Sequence, residues 1–249
     1  MALANNEKNL IKFSGIILLG LVIVSWVVPV DVPDFTEYEA GVERKEVFLN
    51  YFLPLIKEHN TEILKSREQI SKWRQDRENI GWWGHLQLES LLETYQVDNF
   101  DVMNDESWAT LLRRVDAVPV SLALAQAANE SGWGTSRFGR EGYNYYGQWC
   151  YKQGCGLVPE KRGMGDDHEV EVFNSPEDSV ESYLRNLNSN KAYTLLREIR
   201  ARLRATDKPI TGIELARGLG KYSQRGDGYI NELRSIIRHN DLLQHDVNN

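Results

Sequence analysis

Two of the 249 residues are cysteine and five are histidine, dispersed along the chain, so neither a CxxC…CxxC set nor an HExxH pair is present to build a zinc site. A metal or other cofactor is not expected. Basic residues are also short in supply: 29 Lys and Arg face 36 Asp and Glu, for a formal charge of −7. That balance excludes a sequence-independent grip on nucleic acid through counterion release. There is no internal repeat and no low-complexity tract, and a hydrophobic content of 41% with 26% charged residues is ordinary globular composition.

Long hydrophobic runs are scarce as well, with one exception. Phe13 to Val30 carries no charged side chain; Lys8 and Lys12 precede it, and Asp31, Asp34, Glu37 and Glu39 follow. At ~1.5 Å per residue a helix over this run spans about 27 Å, close to the ~30 Å hydrocarbon core, and the lysines favour a cytoplasmic start. The expectation is a single-pass anchor in the inner membrane, with everything after Asp31 in the periplasm or otherwise outside the cytoplasm. A cleaved signal peptide is the rival; the run exceeds the usual apolar region and no small-x-small site precedes the acids. Export gives Cys150 and Cys155 an oxidising compartment, and Gly154 between them helps the chain double back. A small disulfide-stapled loop is the preferred reading, against a nucleophilic cysteine paired with His168.

After the apolar run, Asp31 to Gly41 is acidic, aperiodic and flanked by Pro29 and Pro33, which reads as a short tether. From Val42 the pattern turns helical. Val47, Phe48, Tyr51, Phe52 and Leu55 form a stripe continued by Ile56, Ile63, Leu64, Ile70 and Trp73, which predicts two or more amphipathic helices. Gly81-Trp82-Trp83-Gly84 marks a turn before a short helix with Leu86, Leu88, Leu91, Leu92 and Tyr95, and Asp105 or Ser107 opens another carrying Trp108, Leu111 and Leu112.

Pro119 suits the first turn of a helix, and Val120 to Asn129 is rich in Ala and Leu, the composition of a tightly packed central helix. Glu130 ends it, before the stop signals Ser131, Gly132 and Gly134, and Trp133 lies between the glycines. The aromatic run Tyr143 to Trp149 follows. Leu157 to Arg162 and His168 to Phe173 read as two strands of a β-hairpin joined by Gly163 to Asp167. Ser175 caps a helix begun by Pro176, with Val180, Tyr183, Leu184 and Leu187 buried, and further helices are expected at about 193–204, 212–219 and 228–243. The basic residues Lys191, Arg197, Arg200, Arg202, Arg204 and Lys208 read as a solvated helix face.

A carboxyl at the C-terminal end of a packed helix meets the negative end of the helix dipole, and apolar neighbours such as Trp133 also disfavour its charged form. An acid that keeps its proton near neutrality can protonate the leaving oxygen of a sugar, and neighbouring aromatic faces can stack on pyranose rings. A surface glutamate with no chemistry is the competing reading of Glu130 on these grounds alone.

The stretch from Leu124 through Glu130 to Gly134, followed by Tyr143 to Gly147, resembles the glucosaminidase family, glycoside hydrolase family 73 of the lysozyme-like superfamily. The Trp149-Cys150…Cys155-Gly156 insertion and the segment from Arg44 to Ile56 are similar to the Bax-type branch of bacterial envelope proteins, so the likeness spans most of residues 44–240. It implies a mainly α protein: a lysozyme-like α+β domain at 117–245 with a small β-hairpin lobe, preceded by a helical extension at 42–116, a linker at 31–41 and the anchor within 1–30. It implies an endo-β-N-acetylglucosaminidase that cuts the β-1,4 bond after N-acetylglucosamine in peptidoglycan or a related glycan, with Glu130 as general acid. The second participant is a hairpin carboxylate in related enzymes. Glu160 is the nearest match, with Glu169, Glu171, Asp166 and Asp167 as competitors, although the usual Thr-x-Glu-Tyr surroundings are missing. Tyr222, in the segment Gly220 to Tyr229, matches the family's tyrosine and could donate to an acetamido group or to water. Trp133, Tyr145, Tyr146, Trp149 and Tyr229 are the candidate sugar-contacting aromatics. A non-catalytic peptidoglycan-binding scaffold, or a muramidase or lytic transglycosylase of the same fold, remain the alternatives.

Overall fold

The computed structural model describes residues 32–159 and 168–246. The apolar run expected as an anchor lies outside these residues, as do Glu160, Asp166 and Asp167. Among the described residues no helix is long and apolar enough to cross a membrane.

One 34-residue helix, α1 (Val42–Gln75), replaces the two or more expected from the stripe. It runs through Pro54, whose exposed ring costs a backbone hydrogen bond on the solvent side only. Its first half buries Phe48, Phe52 and Ile56 in the main core, and its second half buries Ile70 and Trp73 in a satellite cluster with Trp108, Leu111 and Val115. The same helix therefore serves both the expected extension and the expected domain. The satellite is completed by α2 (Trp82–Thr94) and α3 (Asp105–Arg114). Trp82 and Trp83 open α2 rather than forming a turn before it.

The segment expected as a free tether is docked. Phe35 is 1% exposed and packs on Phe48, Phe52 and Tyr145 at ring distances of 5.3, 6.3 and 6.4 Å. A Cβ on Gly134 would fall 2.2 Å from the Phe35 ring, so Gly134 is needed here for space as well as for its φ of +82°. An aromatic side chain in an acidic, aperiodic stretch gives no local signal of such a long-range contact.

At the centre lies α4 (Val120–Ser131), with every residue from Val120 to Ala128 buried, as its small side chains predict. Its N-terminal end is tied twice. Asn60 of α1 donates from Nδ2 to the Val118 carbonyl at 2.7 Å and accepts the Val118 N–H at 3.0 Å. The Asp246 carboxylate accepts the Ser121 N–H, the Ser121 hydroxyl and the Gly212 N–H at 2.8, 2.6 and 2.9 Å. Gly132, left-handed at φ +58°, ends the helix, and the short α5 (Arg137–Gly142) follows.

The two expected strands pair within a slightly larger sheet over fewer residues than expected, and the expected turn at 163–167 lies outside the described residues. The strands β1 (Trp149–Cys150) and β2 (Gly156–Leu157) flank a central β3 (Glu169–Glu171), antiparallel to both, with Val170 opposite Trp149 on one side and Leu157 on the other. Cys150 and Cys155 form a disulfide, which excludes the nucleophilic-cysteine reading with His168.

Ser175 caps α6 (Pro176–Ser189) as expected, its hydroxyl accepting the Asp178 N–H. The chain closes with α7 (Thr194–Ala205), α8 (Gly212–Leu215) and α9 (Asp227–His239). The basic face of α7 is not wholly solvated. Arg197 and Arg200 are buried, and Arg200 donates to the carbonyls of Arg113, Asp116 and Ala117. Their charges escaped a helical-stripe reading because Leu196 and Ile199 mark only part of the buried side.

Candidate active site

Glu130 stands in the last turn of α4, half-buried at the edge of a cluster of tyrosines. Burial raises its proton affinity above that of an ordinary glutamate, opposed by hydrogen bonds from Tyr229 and Asn129. The neighbours that create this environment are not those expected. Trp133 packs into α1, edge-on to Phe48 at 5.6 Å with the Lys45 ammonium 5.0 Å from its ring centre. Its backbone is left-handed, at φ +57°, at the helix stop.

The tyrosines come from three elements. Tyr229 of α9 is 1% exposed, accepts a hydrogen bond from Gln126 Nε2 at 2.9 Å and interacts electrostatically with the Glu130 carboxyl. Tyr222, half-buried in the loop before α9, lies parallel to Tyr229 with ring centres 5.5 Å apart and donates its hydroxyl to the Tyr146 carbonyl at 2.7 Å. Tyr183 of α6 stacks on Tyr146 at 3.8 Å. Burial pushes the phenols of Tyr183, Tyr222 and Tyr229 well above 10, and that of Tyr193 to about 12, so all are neutral near pH 7.

The aromatic run folds into a turn that brings backbone to Glu130. Asn144 closes it, donating from Nδ2 to the carbonyls of Gln148 and Glu171 at 2.9 and 2.8 Å and accepting the Gln148 N–H at 3.0 Å. Gly147 adopts φ +65°, and a Cβ there would sit 3.4 Å from Glu130 Oε2. The turn thus meets the carboxyl with backbone alone, with no side chain of residue 147 against it.

Of the expected sugar-contacting aromatics, Tyr145 and Tyr146 are 2% and 0% exposed, so their faces are not open to a pyranose ring. Tyr145 packs edge-on to Phe52 at 4.6 Å, and Tyr146 supplies its carbonyl to Tyr222. Half of an aromatic run must pack inward, and here the consecutive pair does so. Tyr229 is likewise buried, as a partner of Glu130 rather than an open surface. Trp149 is 53% exposed and stacks on His168 at 4.0 Å, which leaves an aromatic face on the sheet available.

Among the carboxylates weighed for the second role, Glu169 is buried and accepts the Gly154 and Gly156 N–H groups at 3.1 and 2.8 Å, which binds it to the disulfide loop. Glu171 is half-buried, and burial raises its proton affinity. Glu232 of α9 was not foreseen: it acts on Glu130 electrostatically and pairs with Arg225 at 2.6 Å. It sits one helical turn after Tyr229, a spacing that placed it on the same face once α9 was recognised. Gln126, also missed, is fully buried one turn before Glu130; a lone amide in an Ala/Leu helix is itself a signal of a buried hydrogen-bonded network.

Residues 105–242, more than half of the chain, match the glucosaminidase family described as mannosyl-glycoprotein endo-beta-N-acetylglucosaminidase. The chain is 34% identical over 215 residues to Protein bax of Escherichia coli (strain K12), covering 85% of this chain and 75% of that protein. No solved structure matches. The central helix ending on a half-buried acid, the small antiparallel sheet and these similarities agree: the chain is a Bax-type protein of the glucosaminidase family.

Proposed function

We propose that the chain is an endo-β-N-acetylglucosaminidase that cleaves the β-1,4 bond after N-acetylglucosamine in peptidoglycan or a related glycan, with Glu130 as general acid. The observation that carries this reading is the placement of Glu130: a carboxyl at a helix C-terminus, among neutral phenols, with burial favouring its protonated form and only glycine backbone at the Gly147 turn beside it. Its proton passes to the glycosidic oxygen as the C–O bond breaks, and positive charge develops on the sugar ring. Water, or the acetamido oxygen of the substrate itself, then attacks the anomeric carbon. Trp149 offers an exposed face for a sugar ring at the sheet edge.

The test uses the full chain and purified peptidoglycan. Glu130→Gln is expected to lower the release of reducing ends by about 10²–10⁴-fold, the usual worth of a positioned acid. Equal release from both proteins would refute the role. Mass spectrometry of the new reducing end separates a glucosaminidase from a muramidase or lytic transglycosylase. Trp149→Ala is expected to raise KM about three- to tenfold with kcat unchanged.

The engagement of Glu169 by two backbone amides favours a second reading, in which the protein holds glycan without hydrolysing it. Retention of glycan by the wild-type chain without new reducing ends would select that reading. For location, we propose that the apolar run before Asp31 anchors the protein in the inner membrane with the catalytic domain in the periplasm; the disulfide suits an oxidising compartment. Protease added to intact spheroplasts should then digest the domain.

A further inference from the structure

Arg197, Arg200 and Arg204 of α7 are engaged by carbonyls or by Asp116, whereas Arg202, and Lys208 just beyond the helix, stay exposed and form no ion pair among the described residues. Both line a groove of about 570 Å³ between α7 and the opposing wall made by α8 and the 3-10 turn Ala216–Leu219. Leu195, Ile199 and Leu203 give the groove an apolar side, and Arg202, Lys208 and Arg217 set three cations against the single acid Glu214. Glu214 is already paired with Arg217 at 3.3 Å, so Arg202 and Lys208 are left uncompensated. In a chain of net charge −7 this recess is positive.

The two walls are held together at one end: a Cβ on Gly218 would lie 2.3 Å from Leu196 Cα, so the turn rests directly on the α7 backbone. From Leu195 to Thr206 the α7 wall runs about 16 Å at ~1.5 Å per residue, the reach of about five residues of extended peptide. Both walls also lead along the chain to the candidate site. Leu195 follows Tyr193 by two residues and Arg217 precedes Tyr222 by five, and the rings of these two tyrosines, both within electrostatic reach of Glu130, are 5.8 Å apart.

We propose that this groove is a subsite for a short acidic peptide attached to the glycan, through which the chain distinguishes peptide-bearing peptidoglycan from an unsubstituted N-acetylglucosamine polymer. Carboxylates of the peptide pair with Arg202 and Lys208, and its small aliphatic side chains cover Leu195, which is 51% exposed. A neutral sugar polymer offers these two cations no counter-charge. Binding energy gained along the groove, away from the bond that breaks, then holds the strand in place at Glu130.

The inference rests on the proposed function for its choice of glycan, and its test reads binding without turnover. Soluble peptidoglycan strands of one size class, with their peptides intact or removed by an amidase, are titrated calorimetrically into the full chain carrying Glu130→Gln. The intact strands are expected to bind more tightly than the stripped ones. Adding Arg202→Gln and Lys208→Gln should weaken the intact strands about three- to tenfold, as loss of two surface charge contacts does, and leave the stripped strands unchanged. Lys65→Gln with Lys72→Gln removes the same charge from the exposed face of α1, where each lysine pairs with a glutamate of its own helix, and should change neither affinity. Equal affinity of the parent chain for the two strands, no binding of either, an equal loss on both in the groove variant, or the same loss in the α1 variant would overturn the proposal. Absence of hydrolysis by the wild type would sink the proposed function and leave the preference for peptide-bearing strands to be decided by these titrations.

Discussion

Asp116 and Glu130 flank the same helix and are both withdrawn from solvent, yet their surroundings differ in kind. Asp116, 2% exposed, meets three guanidinium groups: Arg204 at 2.7 and 2.9 Å, and Arg67 and Arg200 each at 3.6 Å. Glu130 meets phenols, an amide and a glycine, and the nearby Arg225 is already paired with Glu232. A carboxylate given cations becomes part of the framework, here joining α1, α3 and α7. One given only neutral donors has the proton as its means of neutralisation, which suits it to proton transfer.

The comparison can be broken at its structural end first. Asp116→Ala strands Arg67, Arg200 and Arg204 with their charges uncompensated, and is expected to lower unfolding free energy by about 3–5 kcal/mol in denaturant titration. Asp246, another buried carboxylate, has no arginine partner among the described residues but accepts two backbone N–H groups and a hydroxyl at the start of α4 and α8. Asp246→Ala leaves those donors unsatisfied, for an expected loss of about 1–3 kcal/mol. Glu130→Gln should act in the opposite direction. Burial raises the folded-state proton affinity of Glu130, so the folded chain binds the proton more tightly than the unfolded one, and stability falls as pH rises from the ordinary glutamate value, 4.5, through the raised one. The amide removes that loss. Thermal scans are expected to show Tm higher by up to about 2–4 °C at pH 7, the shift that ~1 kcal/mol gives a domain of this size, and equal to wild type at pH 4. A fall in Tm at pH 7 would place Glu130 with Asp116 as a framework acid.

Much of this arrangement is legible along the chain, and the illegible part has a common cause. The Ala/Leu run of α4, its glycine stop and the Ser175 cap of α6 are local signals, and the structure follows them. The extra strand β1 is only Trp149–Cys150, too short to show alternation. The continuity of α1 is masked by Pro54 and by charges on a side that stays in solvent. Glu130 is marked by its place at a helix end, whereas the tyrosines that surround it come from residues 183 to 229 and meet it only through tertiary packing. Their hydroxyls look like ordinary amphipathic anchors in sequence. The buried arginines of α7 deceive for the converse reason, since a guanidinium is expected outside until carbonyls from 113 to 117 are brought to it.

The docking of Phe35 against Gly134 has a practical outcome for how far the chain can be trimmed. A proteolytic nick before Val32 would leave the aromatic plug seated under the loop that follows α4, and the remaining fragment would keep its hydrophobic seal. A nick a few residues later, between Phe35 and α1, would cut the plug loose and open a hole beneath the Gly132–Gly134 corner. Whether trimming leaves that corner sealed or open is thus decided within roughly a single turn of chain.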